Sequence, residues 1–131
     1  MAQQSIHVWA GTSDKTEEQF YKYFDQSKFQ KDNSDSNLRS QFGKDLDLQD
    51  VYDEDWITIY YSRKKISIQM AIEELPVWDD QIEVGIYQAC VGKGLSTVNA
   101  IFCYADDNLS MDKPLKSYNN LIYIGCFNNP L

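Results

Sequence analysis

From Ser5 to Gly11, Ile6, Val8 and Ala10 alternate with His7 and Trp9, the period-two pattern of a β-strand. Gly11-Thr12-Ser13 closes it. The period then changes: Phe20, Tyr23 and Phe24 share one face of a helix, with Ser13 or Asp14 as its expected cap and Glu17 and Glu18 placed at the positive end of its dipole. Ser27 to Asn37 is polar and reads as a loop, after which Ser36 is expected to cap a second helix carrying Leu38 and Phe42, with Gly43 weakening or ending it.

Trp56 to Ser62 is rich in aromatic and β-branched residues and predicts a central strand, stopped by the basic triplet Arg63-Lys64-Lys65. Ile66 to Leu75 fits either period. Ser67 as a cap and Pro76 as a stop favour a helix over a strand there. Asp79 or Asp80 should cap another helix, with Ile82, Ile86, Ala89 and Cys90 inward and Gly92-Lys93-Gly94 at its end. Thr97–Ala105 and Leu121–Phe127 complete the sheet, joined by a polar loop containing Pro114. The order strand, two helices, strand, two helices, strand, strand predicts an α+β fold. A single domain over residues 1–131 should hold a mainly antiparallel sheet of about four strands with helices packed against it. Strand order stays open at this level.

Charge changes the picture most. The 131 residues hold 20 acidic against 12 basic side chains, a net charge of -8, which disfavours nucleic acid and anionic membrane as partners because both are bound mainly through Lys and Arg. With 43% hydrophobic and 14% aromatic residues the chain is apolar enough to fold by itself. No basic or apolar leader follows Met1 and no apolar run approaches a membrane span, so a cytoplasmic location is expected. Cys90, Cys103 and Cys126 lie in apolar segments without C-x-x-C spacing and read as reduced core residues.

The acidic side chains are not spread evenly. Asp45, Asp47, Asp50, Asp53, Glu54 and Asp55 place six carboxylates in eleven residues with no Lys or Arg among them. Such a run is either a solvated loop or a field that attracts a cationic partner. Tyr and Trp are favoured interface anchors, so Tyr52, expected exposed, joins the candidate partner-binding set, whereas Trp56 is expected to be buried at the start of its strand. Alternation would point Asp53 and Asp55 to one side and Glu54 to the other, leaving one group free to cap or form a turn. Asp79, Asp80, Asp106 and Asp107 are the further acidic candidates.

Catalytic and cofactor chemistry finds no motif. His7 is the lone histidine, flanked by Ile6 and Val8, and a satisfied, partly buried role suits it better than general base. An EF-hand frame from Asp45 has Gln49 at the fifth position, Asp50 where Gly is required and Trp56 in place of the bidentate Glu, so it fails. A frame from Asp32 fails in the same way. Gly92-Lys93-Gly94 lacks the rest of any phosphate loop and fits a helix end. The expectation is no enzyme, no cofactor and no metal.

Several blocks are distinctive together: Ile6-His7-Val8-Trp9-Ala10-Gly11, the helix Glu17-Glu18-Gln19-Phe20-Tyr21-Lys22-Tyr23-Phe24, and Ser40-Gln41-Phe42 leading into Tyr52-Asp53-Glu54-Asp55-Trp56. In this order they resemble the immunity protein 22 family, most clearly from residue 6 to about 62 and more generally to Asn99-Ala100-Ile101-Phe102. Trp56 stands where Phe is expected most often, and the loop from Asp106 to Tyr118 has no counterpart. The resemblance implies an α+β antidote of bacterial polymorphic-toxin or contact-dependent inhibition systems. Such a protein binds a cognate toxin domain in the cytoplasm and catalyses nothing. Charge adds the expectation of a cationic toxin, a nuclease whose basic groove an acidic inhibitor occupies; a monomer in a 1:1 complex is expected, with the oligomeric state left open. The alternatives are an acidic adaptor or regulatory module for another basic protein, and a metal-dependent hydrolase whose carboxylates converge only on folding.

Overall fold

A computed structural model describes residues 3–111 and 114–130. Met1, Ala2, Asp112, Lys113 and Leu131 lie outside the described residues, and with them the beginning of the chain and part of the Asp106-to-Tyr118 loop. Four strands, β1 (Gln3–Gly11), β2 (Ile57–Ser67), β3 (Thr97–Ala105) and β4 (Ile122–Pro130), form one sheet in the order β2-β3-β1-β4. Every neighbouring pair is antiparallel. Five helices accompany them: α1 (Glu17–Lys22), α2 (Ser27–Lys31), α3 (Gln41–Asp45), α4 (Ile68–Ile72) and α5 (Asp80–Gly92). The chain is therefore a single α+β domain with helices packed on a four-stranded antiparallel sheet.

Both faces of the sheet are covered, and they differ in chemistry. One face is aliphatic, where Ile6, Val8, Ala10, Ile101 and Cys103 meet Ile68, Ala71 and Ile72 of α4 and Ile86 and Cys90 of α5. The other is aromatic, where Trp9, Phe102 and Tyr104 meet Phe20, Tyr23, Phe24 and Phe42. Trp9 stacks on Phe102 at 4.9 Å between ring centroids, and Phe42 meets Trp9, Phe24, Phe102 and Tyr104 in edge-on or tilted contacts within 6 Å. Such tilted and offset geometries suit the aromatic quadrupole. Strands β1 and β3 are thus central and buried on both sides, which explains why His7 and Trp9 are as inaccessible as the aliphatic residues between them.

Helix boundaries follow the capping chemistry. Thr16, not Ser13 or Asp14, caps α1, and its hydroxyl and the Gln19 side chain satisfy each other's backbone N–H groups in a capping box. Ser13 is instead buried against Asn99, whose amide bonds both the N–H and the C=O of Ser13 at 2.8 Å. The stretch Ser27 to Asn37 is not all loop, since it begins with α2 and ends in a 3-10 turn at Ser36–Leu38 capped by Asp35. Ser40, not Ser36, caps α3, and Gly43 lies inside that helix rather than ending it. The expected caps Ser67 and Asp79 are found, and Lys93 and Gly94 (φ 82°) close α5 as predicted.

The basic triplet does not stop β2. The ladder with β3 breaks after Tyr61↔Ala100 and resumes at Ile66↔Val98, so Ser62 to Lys65 loop out in a bulge and Arg63, Lys64 and Lys65 remain exposed on an edge strand. A second bulge corrects the cysteines. Val8 pairs with Gly125 but Trp9 with Tyr123, so Ile124 is an extra residue in β4. That insertion shifts the alternation so that Phe127, not Cys126, follows Ile122 and Ile124 onto the aliphatic face. Cys126 is consequently exposed, while Cys90 and Cys103 are buried; all three are free thiols.

Tyr118 and Leu121 bridge across Asn119 and Asn120, both with positive φ (57° and 71°), a backbone that suits a type I′ turn. The turn is anchored by its own side chains: Asn119 donates to the Phe20 carbonyl, and Asn120 accepts from Ser13.

Candidate functional site

The strand register decides which carboxylates can act together. Ile57 pairs with Tyr104, Ile6 with Ala105, and Gln3 with Pro130, so the starts of β1 and β2 and the ends of β3 and β4 lie at one end of the sheet. Asp53, Glu54 and Asp55 immediately precede β2 there, and Asp106 and Asp107 immediately follow β3. The Asn129 side chain donates to the Pro76 carbonyl at 3.2 Å, which brings the loop before Asp79 and Asp80 to the same end. The basic bulge Arg63 to Lys65 occupies the opposite end, where β2 closes on Thr97. The bulge and the carboxylates Asp53 to Asp55, Asp106 and Asp107 therefore lie at opposite ends of the strand axis.

Most of the candidates also hold the fold locally. Asp45 accepts from the Tyr23 hydroxyl and from Gln41 Nε2. Burial, followed by this bond to Asp45, holds the Tyr23 phenol far above its ordinary range. Asp47 adopts φ 54° and sits 3.5 Å from Arg39 Nη1. Arg39 is engaged mainly with the backbone, donating to the carbonyls of Ser36 and Leu48. Its partner Asp47 has a side chain 84% exposed, so the pair contributes under about 1 kcal/mol. Among the described residues it is the single ion pair, and the acidic charge is otherwise left to solvent or a partner. Asp53 accepts from the Asp55 N–H and caps a 3-10 turn at Glu54–Trp56. Asp79 accepts two N–H groups at the start of α5, Asp106 accepts from Asn108, and Asp107 accepts from the Ser5 N–H at 2.7 Å. Among the described residues, Asp50, Glu54, Asp55 and Asp80 are exposed acidic candidates whose side chains make no intramolecular hydrogen bond or ion pair.

The two aromatic expectations in this segment are reversed. Tyr52 is only 6% exposed and Trp56 is 50% exposed. The 3-10 turn keeps Trp56 out of the sheet, so the strand begins one residue later, at Ile57, and the expected alternation of Asp53, Glu54 and Asp55 does not occur. Tyr52 turns into the aromatic layer against Phe42 and Tyr104, and its hydroxyl donates to the Phe24 carbonyl. Gln26, fully buried, grips the backbone of Tyr52 from both sides: its Nε2 donates to the Tyr52 carbonyl at 2.8 Å and its Oε1 accepts the Tyr52 N–H at 3.2 Å. Tyr52 is thus a buried staple beneath the acidic segment and not the exposed residue expected. The clue in the sequence is weak, a Gln two residues after Phe24, just before a stretch that reads as polar loop.

His7 is 3% exposed, with Nδ1 2.8 Å from the Tyr123 hydroxyl and the two rings stacked. Burial lowers its pKa, against an opposing pull from Asp106. Because protonation is disfavoured in the folded state, the stability this site contributes is complete above about pH 6.5 and declines as pH falls below it. The lone imidazole resonance should therefore titrate below 6.5 in an NMR pH series. A midpoint at or above 6.5 would refute the buried environment.

The described residues bring together no three of His, Cys, Asp and Glu in a manner that could hold a metal ion. No helix among them is long and apolar enough to cross a membrane. A cleft of about 650 Å³ lies beside α1 and α2 on the aromatic side and is lined by Lys15, Lys22, Lys28 and Arg39 with one carboxylate, Asp25. It is the reverse in sign of the acidic end.

The structure is a small α+β domain with exposed carboxylates at one end of its sheet. The family model for immunity protein 22 matches residues 6–129, and the chain belongs to that family. Immunity proteins bind cognate toxins and generally act as non-enzymatic inhibitors. No curated protein and no solved structure matches the chain.

Proposed function

We propose that this protein neutralises a cationic toxin domain, a nuclease, by occluding its substrate groove in a 1:1 complex in the cytoplasm of the producing cell. The observation that carries the reading is the group Asp50, Glu54, Asp55 and Asp80, exposed carboxylates with no partner within the described chain, beside Asp106 and Asp107 at one end of the sheet. A nuclease groove is basic because it binds phosphates, and carboxylates presented on a rigid rim can occupy it in their place. Family membership supports the toxin, and the charge supports its class.

The direct test is co-expression with the toxin C-terminal domain encoded by the neighbouring open reading frame, scoring survival and co-purification. Rescue and a stable complex are expected; failure of both would remove the proposal. Charge is tested by the triple substitution Asp50→Asn, Glu54→Gln and Asp55→Asn, which spares the capping residue Asp53. Association should slow by roughly tenfold at low salt and the on-rate should lose most of its salt dependence, because exposed charges act through a screened field. The melting temperature should hold or rise slightly as mutual repulsion falls. An unchanged on-rate across salt would assign the acidic run to solvation alone.

A further inference from the structure

Trp78 is 86% exposed, the most accessible of the large hydrophobic residues, and its setting is not that of a loose loop. Its neighbours Leu75 and Val77 are buried at 4% each, the Val77 N–H donates to the Leu75 carbonyl at 2.8 Å, and Asp79 is fixed by two bonds to the start of α5. The backbone that holds the indole out is therefore pinned on both sides. Two residues further on, Asp80 enters the lining of an open groove between α4 and α5, about 390 Å³, which Gln69, Ile72, Glu83, Val84 and Tyr87 complete. Met70 and Val84 add exposed apolar surface at 56% and 52%.

The charged side chains lining the groove, Asp80 and Glu83, have one sign. From Ile66 to Gly92 the chain carries Glu73, Glu74, Asp79, Asp80 and Glu83 and no Lys or Arg. An exposed aromatic anchor near a partly apolar groove whose charged lining is acidic matches the anatomy of a protein interface, in which a few aromatic residues carry most of the energy and a polar rim surrounds them. A Trp face also attracts Arg and Lys, so the anchor and the rim select the same partner chemistry. We infer that the α4–α5 groove with Trp78 is the docking surface for a basic protein domain, the toxin domain of the proposed function, on which this inference rests. The acidic end then steers the encounter and Trp78 holds the complex.

The experiment measures binding of the catalytically inactivated toxin domain from the neighbouring reading frame to the full-length chain by calorimetry, with self-association followed by sedimentation. Trp78→Ala should weaken binding at least about thirtyfold, with a melting temperature unchanged because the side chain is solvent-exposed. Asp80→Asn with Glu83→Gln should weaken it less and reduce its salt dependence. Val91→Ala, exposed at the far end of the same helix, should bind as the unmodified chain does. If the unmodified chain binds and Trp78→Ala binds within twofold of it, this surface is overturned while the toxin-neutralising function stands. If the unmodified chain neither binds nor rescues, that function fails and the occupant named here fails with it. Concentration-dependent self-association abolished by Trp78→Ala would show a second copy as the occupant and overturn the proposal as stated.

Discussion

Replacing Phe42 by Ala should destabilise the protein by about 3–5 kcal/mol, the range for truncating a fully buried aromatic residue. Phe42 is inaccessible to solvent and touches Trp9, Tyr23, Phe24, Tyr52, Phe102 and Tyr104, so its removal opens a cavity that rigid rings on two strands and two connecting segments cannot refill. For a domain of this size the melting temperature should fall by about 10–20 °C. Phe42→Leu, which keeps most of the volume, should cost much less. The loss should also reach the acidic segment, because Tyr52 rests on Phe42 and carries Asp50 and Asp53 on either side. Denaturant midpoints at constant slope would measure it. A loss below about 1 kcal/mol for Phe42→Ala would mean that the aromatic layer is not the second core of this fold.

Alkaline pH should unfold the protein more readily than its net charge alone suggests. Burial pushes the Cys90 thiol up to about 11 and Cys103 to about 12, from an ordinary 9.0, and the phenols of Tyr52 and Tyr104 to about 12 from 10.0. In each case the folded state retains a proton that the unfolded chain releases. The stability contributed is therefore complete below about pH 9 and is lost as pH rises through about 9 to 12. Each pH unit by which folding raises a titration is equivalent to about 1.36 kcal/mol, so the loss reaches about 4 kcal/mol or more by pH 12 even after discounting the partly exposed phenols. Denaturation curves at pH 8, 10 and 11.5, read alongside tyrosinate absorbance, would test this. Tyrosinate appearing near pH 10 for every tyrosine, with no change in stability, would contradict it.

The candidate site was legible in part. Runs of carboxylates are visible in any sequence, and Asp79 or Asp80 could be recognised as a cap because capping is a matter of a few neighbouring residues. What those runs could not disclose was their division of labour. Whether Asp107 is free or bound to the Ser5 N–H depends on β1 and β3 lying side by side, a contact between residues 102 positions apart. Tyr52 and Trp56 are both aromatics set among acids, and only the position of Gln26 and the shape of the aromatic layer decide which is buried. In the sequence Trp78 is one more apolar residue near a helix start; the fold buries its neighbours and leaves it out.

Local patterning by itself determined that β1 and β3 are strands, that Ser67 and Asp79 begin helices, that Gly94 ends one, and that the chain is α+β, because each of these follows from interactions within a few residues. The tertiary structure alone decided the strand order β2-β3-β1-β4, the burial of both sheet faces and the gathering of Asp53 to Asp55 with Asp106 and Asp107 at one end of the sheet. It also placed Cys126 outside the core, through one extra residue in β4 that reverses the alternation beyond it. These features depend on pairing between distant segments, and a period of two reads the same along the chain whichever strand lies beside it and whichever face is covered.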